Sequence, residues 1–196
     1  MHTIAGRQAA ISLSPPSAPR LYLPPPRPEG SPRASLDGGW WPRSTDPVAE
    51  LPGLVLALQA HGSADDRRRV AHIMLRVADW DSRPRKLRID GPADSRVVRL
   101  SWFDTLPAGL LTAIYADGRR VDLLTVPPAT ERAVAWAGLE LAAHTANHLH
   151  TPELLAALTA AASQATDPHH QAGTTIATRG AWESEGGRVE QCPPPP

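Results

Sequence analysis

The chain has little of several residue types, and each shortage excludes a class of protein. Among 196 residues there is one cysteine, Cys192, so an internal disulfide and a cysteine-based zinc site are both excluded. No apolar run approaches the roughly 20 residues that a membrane-spanning helix needs. The formal net charge is zero, which argues against a globally basic nucleic-acid binder. We therefore expect a soluble, cytoplasmic protein with no membrane partner.

Familiar catalytic signatures are missing as well. The sequence contains neither the G-x-S-x-G elbow of serine hydrolases nor a glycine-rich phosphate loop. We therefore favour a non-catalytic protein, and we predict neither a cofactor nor a bound metal.

Proline marks the loose stretch before the core, because proline fixes φ and removes a backbone donor, and the segment after Thr166 shows no sustained apolar period. We predict a flexible tail at 1–10, a single domain at 11–166 with a proline-rich insertion at 24–33, and a disordered tail at 167–196. Before the core, only "AISLS" and "RLYL" are expected to form short strands.

A helix is predicted after Asp46-Pro47, which resembles an N-cap followed by proline at the first helical position. The apolar residues that follow at helical spacing are Leu51, Leu54, Val55 and Leu58. Pro52 interrupts this pattern, so either the helix kinks there or it begins there; we favour the kink.

From Val70 the apolar period changes to two, which is typical of strands. The segments "VAHIMLRVAD", "KLRID", "RVVRLSW", "LLTAIYA" and "RRVDLLTV" follow with short connections, and Asp117-Gly118 predicts a type I′ hairpin. Two helices are expected afterwards, capped by Thr130 and Thr151, with Val134, Ala137, Leu141 and Trp136 as the buried side of the first. The predicted fold is α+β: an antiparallel meander of four to five strands, with one helix before it and two after it.

The stretch "LDGGWWPRSTDP" places two indoles side by side. In extended chain Trp40 and Trp41 must point to opposite faces, so one is expected in the core and the other at a sheet edge or partner surface. Arg43 lies just before a helix N-terminus, where an anion would be favoured. Alternatively, Arg43 forms a structural ion pair with Asp79 or Asp81.

A second candidate site is "DWDSRPRKLR". Asp79 and Asp81 share a face with Trp80 opposite, so they could bind a divalent cation or divide acid and base roles. Equally, the cations that follow, Arg85 among them, could neutralise both. Between Arg67 and Arg99 there are ten cations and four aspartates, a local excess that could follow a phosphate backbone.

Several strings in order resemble an actinobacterial family of unknown function. They are D-G-x-W-W-P-R-S, a strand ending in "WD" followed by P-x-R-[KR], and the closing L-L-x-V-P-P. The similarity covers about residues 11–145, and the chain departs from it in "GPADSRVV" and in the insertion at 24–33. The resemblance implies a bacterial cytoplasmic protein and supplies no activity or catalytic residues.

Together these patterns favour a binding or regulatory module for an anionic ligand, a protein partner or a second copy of the chain. The candidate binding residues are Trp40, Trp41, Arg43, Asp79, Trp80, Asp81 and Arg85. One alternative is a metal-assisted hydrolase that uses Asp79 and Asp81. Another is nucleic-acid binding through residues 67–99, which we favour less because only Trp80 and Trp102 could stack on bases.

Overall fold

The computed structural model describes residues 10–11, 18–24, 34–61, 69–90 and 95–165. Its strands are β1 (Ala10–Ile11), β2 (Arg20–Tyr22), β3 (Gly38–Trp41), β4 (Val70–Arg76), β5 (Lys86–Asp90), β6 (Ser95–Phe103), β7 (Leu110–Tyr115) and β8 (Arg120–Thr125). Its helices are α1 (Pro47–His61), α2 (Arg132–Ala143) and α3 (Thr151–Ala165). The chain divides into the units Met1–Ala162 and Ser163–Pro196, and all these elements except the end of α3 belong to the first.

The loose segments predicted from the sequence fall almost entirely outside this description. Of the tail at 1–10, the insertion at 24–33 and the tail at 167–196, only Ala10 and Pro24 are described. The two short strands expected before the core are confirmed as β1 and β2.

The strands form one mixed sheet in the order β1-β5-β6-β4-β7-β8-β3-β2. The predicted antiparallel meander of four to five strands is therefore wrong. Its hairpins are present, since β5 pairs antiparallel with β6 and β7 with β8. However, β4 lies between the two hairpins, parallel to β6 and antiparallel to β7, and β3 lies parallel to β8.

The error came from treating neighbours in sequence as neighbours in the sheet. After β4 the chain makes a 3-10 turn at Val77–Asp79 and a loop, which together carry β5 to the far side of β6. Only a tight turn forces consecutive strands to pair, as the turn between β7 and β8 does. Its type differs from the prediction, because Gly118 has φ +85° whereas Asp117 does not have a positive φ.

Helix α1 covers one face of the sheet. Its predicted cap is confirmed, because the Asp46 carboxylate accepts a hydrogen bond from the Val48 N–H at 2.9 Å. The helix runs through Pro52, so the alternative in which it begins at Pro52 is wrong. Its predicted apolar face is confirmed: Leu51, Leu54, Val55 and Leu58 are buried in the cluster that α1 forms with the sheet.

Helices α2 and α3 lie over the other face, at the β8–β3 end. Glu131, and not Thr130, caps α2: its carboxylate accepts hydrogen bonds from two backbone N–H groups, which lowers the pKa of Glu131. At α3 the cap position is His150, whose carbonyl accepts the Leu154 N–H, and Thr151 is the first helical residue.

The buried side of α2 also differs from the prediction. Leu141 is 43% exposed, whereas Leu139 is fully buried. A β-carbon added to Gly39 would lie 3.0 Å from the Leu139 Cα, so the helix backbone rests directly on β3 at this glycine. This close approach selects the side of α2 that faces the sheet, and apolar spacing alone does not indicate it.

On this second face, part of the sheet is open to solvent. The contacts that α2 makes with the sheet concentrate on β2, β3 and β8. Farther along, on β6, Val97 is 52% exposed and Phe103 is 38% exposed. The strands β5, β6 and β4 therefore present an accessible surface opposite α1.

Candidate functional site

The tandem indoles pack into the two hydrophobic clusters on opposite faces of the sheet. Trp40 is 1% exposed and stacks on Trp80, with ring centroids 5.7 Å apart and planes at 19°. Trp41 is buried in the cluster formed with α2 and α3. The prediction that the two indoles point in opposite directions is confirmed, and both of them serve packing.

Arg20, which sequence reasoning missed, completes the corner around Trp41. Its guanidinium carbon lies 3.4 Å from the centroid of the Trp41 ring, and its Nε donates to the Trp41 carbonyl at 2.9 Å. Burial, followed by the charge of Arg43, lowers the pKa of Arg20. Arg43 is exposed and donates to the Ala18 carbonyl at 3.0 Å.

Both candidate carboxylates form polar contacts with nearby segments of the same chain. Asp79 forms an ion pair with Arg76 at 3.2 Å and accepts the Gly109 N–H at 3.2 Å. Asp81 accepts the hydroxyl hydrogen bond of Thr45. No hydrogen bond or ion pair joins Arg43 to either aspartate within residues 34–61 and 69–90.

A metal centre finds no support at these aspartates. Across the described ranges, no group of three or more His, Cys, Asp or Glu side chains could hold a metal ion. The carboxylates instead tie the turn after β4 to the lead-in of α1 and to the loop before β7, so they have a structural explanation.

An apolar cleft of about 160 Å³ lies at the same corner, lined by Pro42, Trp80, Pro127 and Leu155 among others. Pockets for small-molecule ligands are typically larger, roughly 300–1,000 Å³. The cleft is therefore below the usual size of a ligand site.

The open face carries a different arrangement, which the register of three strands creates. Lys86 of β5 lies directly opposite Arg99 of β6, and Arg99 lies directly opposite His72 of β4. Directly opposed residues share a face, and adjacent strands are about 4.8 Å apart. Three basic side chains therefore stand in one row across the sheet; we call them the basic row.

The basic row borders a groove of about 500 Å³ where β5 ends beside β6. Its lining residues are Arg85, Lys86, Arg99, Leu100, Ser101, Trp102 and Phe103. The groove is thus within the size range of ligand sites, and it combines cations, a hydroxyl and two aromatic rings.

The cations of the groove lack acidic partners. Within the described chain, the side chains of Arg85, Lys86 and Arg99 form no ion pair. Three neighbouring arginines of the sheet each pair with an aspartate: Arg76 with Asp79, Arg88 with Asp90, and Arg120 with Asp122. The groove cations therefore differ from these three arginines of the same sheet.

His72 forms a hydrogen bond with Ser101, one of the residues that line the groove. Its Nε2 lies 2.8 Å from the Ser101 hydroxyl oxygen. Burial, and then the charge of Arg99, lowers the pKa of His72. An anion placed beside this ring would oppose both effects and favour the imidazolium.

Of the sequence candidates, only Arg85 lines this groove. His72, Lys86, Arg99 and Phe103 were missed as site residues, although the excess of cations between Arg67 and Arg99 indicated the region. Their placement on one face requires the pairing of β4 with β6, which the sequence pattern did not reveal.

Comparison with known proteins identifies a family and no activity. No helix of the described ranges is long and apolar enough to cross a membrane. No curated protein and no solved structure matches the chain. A family model does match residues 20–142, well over half of the chain. The chain therefore belongs to the family of unknown function DUF5994.

Proposed function

We propose that the chain is a non-catalytic binding module whose ligand is an anion held in the groove by Lys86, Arg99 and His72. The observation that carries the proposal is the basic row, in which Lys86 and Arg99 face each other with no acidic partner among the described residues. Like charges directly opposite in a sheet are destabilising. An anionic ligand would remove that repulsion and form charge-assisted hydrogen bonds with the same groups.

The remaining candidate residues have packing or tethering roles in this proposal. Trp40, Trp41 and Trp80 build the corner, and Asp79 and Asp81 tether its loops. Arg85, at the rim of the groove, adds a further cation to the anion site. The cytoplasmic location and the actinobacterial origin stay predictions from the sequence.

Retention of the full chain on a heparin column tests the proposal, because heparin is a polyanion and elution measures the salt needed to displace it. We expect Lys86→Gln and Arg99→Gln each to elute at lower salt than the unmodified chain. Arg88→Gln is the matched control: it removes the same charge from the same face, but that guanidinium already bonds Asp90 at 3.3 Å. Equal shifts in all three variants would mean that retention follows net charge alone, and the proposed site would be rejected.

The Ser101–His72 contact favours a second candidate function, ester hydrolysis. Here the Ser101 oxygen attacks the acyl carbon while its proton passes to His72 Nε2, the alcohol leaves with that proton, and water releases the acyl group from serine. Hydrolysis of p-nitrophenyl acetate that is abolished by Ser101→Ala would establish it. The binding-module proposal predicts instead that Ser101→Ala leaves hydrolysis at background and retains heparin binding.

A further inference from the structure

Building on the proposed anion-binding function, we infer that the ligand is single-stranded nucleic acid, with phosphates on the basic row and a base on Phe103. Anion binding alone needs only the cations. The groove additionally presents the one phenylalanine of the chain, 38% exposed, at the end of the same strand face. Arg99, Ser101 and Phe103 alternate along β6 and therefore point the same way.

The second aromatic ring of the groove is held in place. Trp102 is half-buried, and its indole Nε1 donates to the Pro84 carbonyl at 2.8 Å. Trp102 alternates with Phe103 along β6, so its indole points to the α1 side of the sheet, packs against the core there, and leaves Phe103 as the ring that can stack on a base. Cations with an accessible aromatic ring on the same face are the combination that single strands recognise, because phosphates need charge and every base has a face that can stack.

The length of the basic row favours a polymer over a free nucleotide. The register continues from His72 to Ile114 of β7 and on to Arg120 of β8. The basic row itself crosses three strands, from Lys86 to His72, a span of about 10 Å at the usual spacing between strands, because β7 contributes Ile114 and the Arg120 guanidinium already pairs with Asp122 at 2.8 Å. A single phosphate group would occupy only a fraction of it.

A single strand fits this surface better than a duplex or an acidic peptide. Stacking on Phe103 requires the face of a base, which a duplex keeps inside its own stack. An acidic peptide would use the cations and gain nothing specific from the aromatic rings. Hence the contribution of Phe103 separates nucleic acid from other polyanions.

The test measures fluorescence anisotropy of a labelled oligothymidylate of about 20 nucleotides titrated with the full chain at low salt. We expect Phe103→Leu, which keeps an apolar side chain and removes the ring face, to weaken oligonucleotide binding by about 5- to 150-fold. The same variant should leave heparin retention unchanged, since it removes no charge, and should lower the thermal midpoint only slightly, since leucine keeps an apolar side chain at a position that is 38% exposed. Lys86→Gln should weaken the binding of both the oligonucleotide and heparin, and Arg88→Gln is the control for charge.

Competitors identify the class of ligand. Unlabelled single strand should displace the probe at far lower concentration than thymidine monophosphate, duplex DNA or polyglutamate. The nucleic-acid inference is overturned if polyglutamate competes as well as the single strand, or if Phe103→Leu leaves the oligonucleotide affinity unchanged. In either case, retention of the unmodified chain on heparin would still support anion binding. If Lys86→Gln retains the heparin affinity of the unmodified chain, the anion site itself is rejected.

Discussion

Replacing Lys86 with glutamate should stabilise the unliganded chain while removing its affinity for anions. Lys86 and Arg99 are directly opposed across β5 and β6, and neither side chain has an acidic partner among the described residues. Lys86→Glu converts this repulsion into attraction at one step of the register. A binding surface that is strained when empty is expected to gain stability when its charge pattern is broken.

The size of the effect follows from the geometry. Opposed side chains start from Cβ atoms about 5 Å apart, and two charges about 6 Å apart interact by about 0.7 kcal/mol in water. Reversing one sign therefore changes the free energy of unfolding by about 1 kcal/mol once side-chain freedom is allowed for. For a domain of this size, that corresponds to a rise of about 2–4 °C in the thermal midpoint.

Circular dichroism melts at two salt concentrations provide the assay. At about 10 mM salt the screening length is about 30 Å, and at about 1 M it is about 3 Å, so the gain should shrink as salt is added. Arg88→Glu is the control, because Arg88 lies opposite Val97 and already pairs with Asp90. The reasoning is refuted if Lys86→Glu melts no higher than the unmodified chain at low salt, or if Arg88→Glu gains as much.

Three further predictions concern packing, the corner and pH. Gly39→Ala should lower the free energy of urea unfolding by about 1–3 kcal/mol, because its methyl would meet the backbone of α2; Gly138→Ala, which meets only a flexible leucine side chain, should lose clearly less. Arg20→Ala should lower the free energy of urea unfolding by about 1–3 kcal/mol, because it removes the stacking on the Trp41 indole and a hydrogen bond to a backbone carbonyl. An unchanged unfolding curve would contradict the cation–π assignment. Burial and Arg99 lower the pKa of His72, so the unfolded chain takes up more protons as pH falls through about 6.5 and stability should fall with it; His72→Asn should flatten that slope, and a slope equal to that of the unmodified chain would contradict the assignment.

Local sequence signals were sufficient where a structural feature depends on a few adjacent residues. Asp46 caps α1 as its side chain and position indicate, and the tandem indoles point to opposite faces because neighbouring residues in a strand must. The pairing of β7 with β8 follows from the tight turn at Gly118, although its type was mistaken.

The sequence pattern could not predict features that depend on partners distant in the sequence. Nothing in "VAHIMLR" shows that β4 inserts between two hairpins, and without that insertion His72 and Arg99 have no reason to meet. Strand β3 was missed because "GGWW" is buried on both faces and shows no alternation of polar and apolar residues. Arg20 was overlooked for a similar reason, since its stacking partner lies 21 residues away.

The insertion of β4 between the hairpins also bears on how the molecule assembles. The β5–β6 and β7–β8 hairpins join residues close in sequence, whereas β4 is the seam that fastens one to the other. Lys86 and Arg99 come together within a hairpin, but His72 reaches them only when the seam closes. A ligand that needs all three groups thus binds only the joined sheet and draws the chain toward it by mass action. Closure of the sheet and binding in the groove are then thermodynamically linked.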